Sequence, residues 1–328
     1  MWYSFKEIKK LNCLFNFIIS MRSSGKTIAM KDEMLNIAKK HHRFIYIRRT
    51  ATETKSVAMK EFFNKLFLLG YHREFNGLIK FEKDCFTVEN EVIGYVIPLS
   101  TSNNSRSMDF INIDAIFFEE FVLMEDDKHK YLKDEVFKFL ELYSTIARDK
   151  DIPVYFIGNN IQLYNPYFIY FDLKPPATGI KKWHDMAIEI WQNKDLEVEK
   201  SKTRFGKIIS HTAYGDYSIK NNSFETNTNL IQKMDKGASP LFDFKFNYDL
   251  YGVWKLNNSL FITNTKANKG ITVAVTDKDR STDNITVKGF KNLWLYKIYR
   301  NAIYNNMLFA TSEKMEQISR SINKYIST

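Results

Sequence analysis

Apolar and polar positions in the first half of the chain follow two alternating rhythms. Short solid apolar runs at Phe15–Ile19, 44–49 ("FIYIRR"), 113–121 ("IDAIFFEEF") and 153–160 ("PVYFIGNN") are separated by longer stretches of looser apolar spacing. The solid runs predict strands buried on both faces, and the longer stretches predict helices. In "GKTIAMKDEMLNIAKK", Ile28, Met30, Met34, Leu35 and Ala38 recur at roughly helical intervals. A second helix is expected over 55–70, closed by Gly70, and a third over 131–150, while 78–100 alternates like a small antiparallel meander. This alternation predicts an α/β fold built on a mostly parallel sheet covered on both faces.

The rhythm changes after Pro175-Pro176. Residues 177–227 are mixed and polar. From Leu241, "LFDFKFNYDLYGVWKLNNSLFIT" reads as two strands, an Asn-Asn-Ser turn and a third strand. "GITVAVTD" adds another, and helical-looking material runs from Lys291 to the end. The expected organisation is a first domain over 1–197, a linker region over 198–229 and a second domain over 230–328.

Composition narrows the class. A chain of 328 residues, 44% hydrophobic and 15% aromatic, has enough apolar material for two cores. A net charge of +10 suits a polyanionic partner, which concerns association rather than fold. Cys13 and Cys85 supply neither a disulfide framework nor a metal quartet, so a reducing compartment is expected. No apolar run of about 18 residues argues for a membrane span. The opening "MWYSFKEIKKLNCLFNF" lacks a secretory cleavage pattern, so a soluble intracellular protein is expected.

Chemistry enters at "FIISMRSSGKT", residues 17–27, where an apolar strand breaks into small residues before a helix. Such a loop lets backbone N–H groups converge on an anion. Ser20, Arg22, Ser23, Ser24 and Gly25 would line it, Lys26 would reach the terminal phosphates of ATP, and Thr27 would hold Mg²⁺. Ser20 stands where the usual pattern has glycine. On this octapeptide alone, phosphate binding and an ordinary turn stand about even. "IDAIFFEEF" shifts the balance, because Glu119 and Glu120 end an apolar strand, where ligands collect in open α/β sheets. Two adjacent carboxylates there call for a cation. Glu119 then holds the metal and Glu120 polarises the attacking water. Asn159, ending the strand after that, suits a sensor of phosphate or water. Arg148 and Arg106 are candidates to stabilise transition-state charge from a neighbouring subunit. Locally, a helix-end cation and a solvated loop charge explain them equally well.

Further stretches carry a resemblance: "SMRSSGKT" (20–27), "FIYIRR" (44–49), "GYVIPLS" (94–100), "IFFEEF" (116–121), "NPYF" (165–168), "KTRFG" (202–206), "YGDYS" (214–218) and "LYGVW" (250–254). In this order, over nearly the whole chain, the sequence resembles the DNA-packaging (encapsidation) ATPases of small protein-primed tailed bacteriophages, relatives of large-terminase motors. The resemblance implies an ASCE-type P-loop ATPase domain, a short linker and an RNase H-like domain that is a vestigial nuclease. It implies a ring that drives double-stranded DNA into a preformed capsid, docked on the prohead portal in the host cytoplasm, in some relatives with a packaging RNA. It assigns Lys26 and Thr27 to the phosphate loop, Glu119 to the metal-holding position and Glu120 to the catalytic one. Arg148 matches a trans-acting arginine finger, and Arg106 a basic residue in the loop before the acidic strand. Glu119 replaces the family's Asp, and Lys150 stands where relatives carry a second Arg.

Among the acids of the second half, Asp277, Asp279 and Asp283 fall in a polar loop, and no nuclease activity is expected. Residues 287–328 hold seven Lys or Arg against two Glu, with Phe290, Trp294, Tyr296 and Tyr299 interleaved. That makes a nucleic-acid surface plausible, but an amphipathic helix with core aromatics has the greater weight. Two other functions stay open: a helicase-like motor, and a nucleotide-binding portal adaptor without turnover.

Overall fold

A computed structural model describes residues 2–123, 130–160, 165–219 and 230–327. The chain forms two compact units, Met1–Pro166 with Leu173–Glu225, and Tyr167–Asp172 with Thr226–Thr328.

The first unit is an α/β layer structure around nine strands: β1 (Phe15–Ser20), β2 (Arg43–Arg48), β3 (Lys80–Glu82), β4 (Cys85–Val88), β5 (Glu91–Pro98), β6 (Ile113–Glu119), β7 (Val154–Asn159), β8 (Gly179–Trp183) and β9 (Met186–Trp191). They lie in the order β3-β4-β5-β2-β6-β7-β1-β9-β8. The pairs from β5 through β9 are parallel, and the hairpins at the two edges are antiparallel. Every residue of β1 is buried, as a strand covered on both faces requires. Helix α1 (Lys26–Ala38) follows β1, and α2 (Glu135–Ala147) carries the chain from β6 back to the start of β7. One face of the sheet stacks Phe17 on Phe156, ring centres 4.4 Å apart, with Phe118, Phe121 and Phe139 around them. The other face gathers Phe5, Phe117 and Tyr155.

Two stretches fold differently from the reading of the apolar pattern. The helix expected over 55–70 is two short ones, Ser56–Lys60 and Asn64–Leu68. Phe62 and Phe63 between them are both buried. Adjacent residues point about 100° apart on a helix, so opening the chain lets both rings enter one core. The stretch read as mixed and polar contains the β8–β9 hairpin, and β9 extends the parallel sheet beside β1. Of the expected linker, residues 198–219 fall within α3 (Lys194–Lys202), α4 (Arg204–Ile209), α5 (Ala213–Ser218) and their turns. Residues 220–229 lie outside the described residues.

The second unit has a mixed six-stranded sheet: β10 (Ser239–Phe246), β11 (Asp249–Leu256), β12 (Ser259–Thr263), β13 (Thr272–Ala274), β14 (Ile285–Thr286) and β15 (Leu308–Ala310), in the order β14-β13-β10-β11-β12-β15. The first three are the strands read from 241 onward and pair antiparallel, and β13 and β14 add in parallel. Helices α6 (Trp294–Tyr304) and α7 (Glu313–Ser327) pack on it, and the short β15 interrupts what reads as continuous helix. Phe290 and Tyr299 are core residues, while Trp294 is exposed. The aromatics are therefore divided between core and surface rather than forming one basic–aromatic face.

Candidate functional site

The phosphate-loop candidate stands at the carboxyl edge of the parallel strands. β1 ends at Ser20, and Gly25, in the left-handed region at φ +91°, turns the chain into α1. A side chain at Gly25 would strain the backbone and bring its Cβ to 3.0 Å from Trp2. The first turn of α1 contains no acid, and Gly25 supplies no side-chain cap. Its N–H groups and the positive end of its dipole are thus left for an external anion.

Lys26 is buried over this loop. Its ammonium donates to Ser20 Oγ (2.7 Å), Met21 O (3.0 Å), Ser20 O (3.1 Å), Ser24 Oγ (3.3 Å) and Asn159 Oδ1 (3.3 Å). All five are neutral oxygens. Burial lowers its pKa to about 7, Glu119 partly offsets this, and the charges of Lys200 and Arg22 add to it. A buried cation without a bound counter-charge favours an anion beside it. Ser20 has a purpose that glycine could not serve: its hydroxyl bridges Lys26 and Ser24 Oγ, the latter at 2.6 Å.

The acids arrive from β6. Glu119 is buried and accepts from Thr27 Oγ (2.5 Å), Tyr46 Oη (2.6 Å) and Arg48 Nη1 (3.2 Å). Burial and the Glu119 charge hold the Tyr46 phenol well above its ordinary pKa, so it stays a donor. Glu120 follows in the left-handed region at φ +58°, half-exposed, with Oε2 2.7 Å from Arg48 Nη2. Arg48 also binds Glu53 at 2.8 Å. Its neighbour Arg49 pairs with buried Glu135 (2.8 Å) and donates to the carbonyls of Glu120 (3.0 Å) and Phe121 (2.9 Å). The turn after the two acids is therefore held from β2.

Thr27 and Glu119 form a hydroxyl–carboxylate pair of hard oxygen donors, which suits Mg²⁺. Beside it lie the buried ammonium and the uncapped helix start. The residues present fit a magnesium nucleotide.

A family model for the podovirus DNA encapsidation protein (Gp16) matches residues 1–326. The chain belongs to this family. It is 28% identical over 326 residues to the DNA packaging protein of Bacillus phage phi29, covering 97% of this chain and 96% of that one. A chain of the bacteriophage Phi-29 viral genome packaging motor assembly superposes with a TM-score of 0.73 at 26% identity, covering 99% of each. The N-terminal domain of the DNA packaging ATPase from bacteriophage phi29 gives 0.52 at 28% identity, over 58% of this chain and 96% of that one.

In this encapsidation-family member, Ser20, Ser24, Lys26 and Asn159 form one hydrogen-bonded group and Thr27 and Glu119 an adjoining pair, to which Glu120 is linked through Arg48. Arg22 and Ser23 are exposed on the loop, with Ser23 in the left-handed region. Arg148 is not in the cluster. It caps the end of α2, at the sheet edge opposite the loop, and pairs with Asp109 at 2.9 Å, both well exposed. Arg106 lies in the 3₁₀ segment Leu99–Ser107, and its side chain is outside the described residues. Sequence reasoning missed Tyr46, Arg48 and Arg49 as acid-holding residues. The available signal was "IRR" ending an apolar strand, but only the adjacency of β2 and β6 gives it meaning.

The second unit uses its acids otherwise. Asp243 lies within the apolar strand β10. Its carboxylate accepts the N–H groups of Ala267 (2.6 Å) and Asn268 (2.9 Å). Asp279, read as solvated, is fully buried. It accepts from Thr276 Oγ (2.6 Å), Tyr248 N (2.8 Å) and Thr276 N (3.1 Å). Among the described residues no group of three His, Cys, Asp or Glu is arranged to hold a metal.

Proposed function

We propose that this encapsidation-family chain is an ATP-hydrolysing subunit of a ring that moves double-stranded DNA into a preformed capsid. The observation that carries the reading is the meeting of Lys26, Thr27, Glu119 and Asn159, with Glu120 alongside, at the carboxyl edge of one parallel sheet. The bound magnesium nucleotide would supply the phosphoryl group and a counter-charge for the acids. Lys26 and the loop N–H groups bind the phosphates, and Thr27 and Glu119 hold the metal. Glu120 orients the attacking water and takes its proton, once Arg48 releases it. Asn159 senses the terminal phosphate through its amide. An arginine from the neighbouring subunit, Arg148 or Arg106, completes the charge stabilisation. The exposure of Arg148, remote from its own loop, supports a role in trans.

The rest of the assignment is also proposed. The first unit is an ASCE-type ATPase fold. The second is RNase H-like, since β12-β11-β10-β13-β14 joins three antiparallel strands to two parallel ones. It is inactive as a nuclease, with Asp243 and Asp279 committed to backbone amides. The portal and, in some settings, an RNA are the expected partners, and DNA contacts go to the phosphate backbone with little sequence preference. The domain division at 1–197, 198–229 and 230–328 belongs to the same proposal.

The test is the ATPase rate against protein concentration, with and without duplex DNA. A steep rise with concentration and stimulation by duplex are expected. Stimulation by single strands alone would favour a helicase-like motor, and nucleotide binding without phosphate release would favour an adaptor.

A further inference from the structure

The helices α3–α5 repeat one device. Thr203-Arg204-Phe205-Gly206 and Thr212-Ala213-Tyr214-Gly215 share a Thr-x-aromatic-Gly pattern. Each threonine hydroxyl accepts from the glycine N–H, at 2.9 and 3.1 Å, and donates to a carbonyl three residues earlier, Lys200 or Ile209, at 2.7 Å. Each glycine permits an approach no other residue tolerates, since a Cβ would lie 1.9 Å from Lys200 O or 2.0 Å from Ile209 O. Three short helices are thereby locked corner to corner.

Lys200 stands at the first corner, and its side chain crosses to the phosphate loop. The ammonium donates to the carbonyl of Arg22 and to that of Ser218 (3.1 Å), at the end of α5. An ammonium has three N–H groups. Two are spent on carbonyls, and none of the described ion pairs includes Lys200. The lysine is partly buried, which lowers its pKa, and its charge opposes that of Lys26. Two ammonium groups thus stand at one loop, each held by neutral oxygens.

We propose that Lys200 is a second polyphosphate-contacting residue, which links occupancy of the 20–27 loop to the position of α3–α5. The proposal rests on the nucleotide reading of that loop. When phosphates occupy the loop, the third N–H goes to a phosphate oxygen, and the Ser218 contact carries the far end of the helical array along. Nothing local to "KTRFG" suggests this, because the partner carbonyl is 178 residues away.

The experiment uses the full chain as wild type, Lys200→Met, Lys200→Arg and Lys26→Ala. ATP and AMP are titrated by calorimetry, and hydrogen exchange is followed over 194–219. Losing one charge-assisted hydrogen bond predicts about tenfold weaker ATP binding by Lys200→Met, with AMP unchanged and most affinity kept by Lys200→Arg. ATP should slow exchange over 194–219 in the wild type and the Arg variant but not in the Met variant. Wild-type ATP affinity and protection in Lys200→Met overturn the proposal, as does equal loss of ATP and AMP binding that Arg does not restore. Should the Met variant fail to fold, absence of ATP-dependent protection in the wild type is enough to sink it. Undiminished ATP binding by Lys26→Ala would remove the nucleotide reading itself.

Discussion

Both units bury carboxylates, but they satisfy them with different partners. Glu119 is held by side chains: a hydroxyl, a phenol and a guanidinium from α1 and β2. Asp279 and Asp243 are held mainly by main-chain N–H groups of neighbouring turns. Side chains turn about rotatable bonds and can yield to a cation, whereas backbone donors move only if the fold does. In the proposed site this would let Glu119 regroup around a cation, while Asp243 and Asp279 staple their turns. The loop cation shows the same logic in reverse, since Lys26 is ringed by neutral oxygens that a bound anion would outcompete.

The contrast breaks most visibly at Glu120. Replacing Glu120 with Gln should lower ATP turnover by about 10²–10⁴-fold, the range for losing a general base, with ATP binding retained. Single-turnover phosphate release measures this, and near-normal turnover would remove the water-polarising role. Next in size is Asp279→Ala, which strands three donors in a buried turn. A loss of about 3 kcal/mol is expected, read as a lower Tm of the second unit, with ATP affinity unchanged. A variant of normal stability would show that the turn holds without the carboxylate.

The smallest effect is with pH. Burial sets Lys26 at about 7, while a bound anion favours its charged form. ATP binding should therefore take up a proton at pH 8, and affinity should fall as pH rises above about 7, by at most roughly tenfold per unit. For folding without nucleotide the direction reverses. The unfolded lysine keeps its proton up to its ordinary value of 10.5, so stability gains between about 7 and 10.5. Calorimetry at pH 8 in buffers of different ionisation enthalpy detects the uptake. A value of zero would show that Lys26 is already charged before the ligand arrives.

Much of the first unit was legible in advance. The solid apolar runs became β1, β2, β6 and β7, and the small residues between β1 and α1 marked the loop. Less legible were elements whose partners are remote. The "MAIEIW" strand lay inside a stretch read as mixed and polar, and its Glu189 is buried because Tyr3 Oη donates to the carboxylate at 2.8 Å. The serine at position 20 looked like a weakened pattern, and became intelligible once its hydroxyl was seen on Lys26.

Local composition alone decided where strands end, where a glycine must turn the chain and which residue types stand at those ends, because backbone sterics and apolar spacing act over a few residues. The tertiary structure decided which ends share an edge. Strand order placed Arg48 between Glu119 and Glu120, the crossover through α2 carried Arg148 to the far edge, and a contact across 178 residues put Lys200 on the loop. Hydrogen bonds and charges act over a few ångströms in space, and separation along the chain says little about that distance.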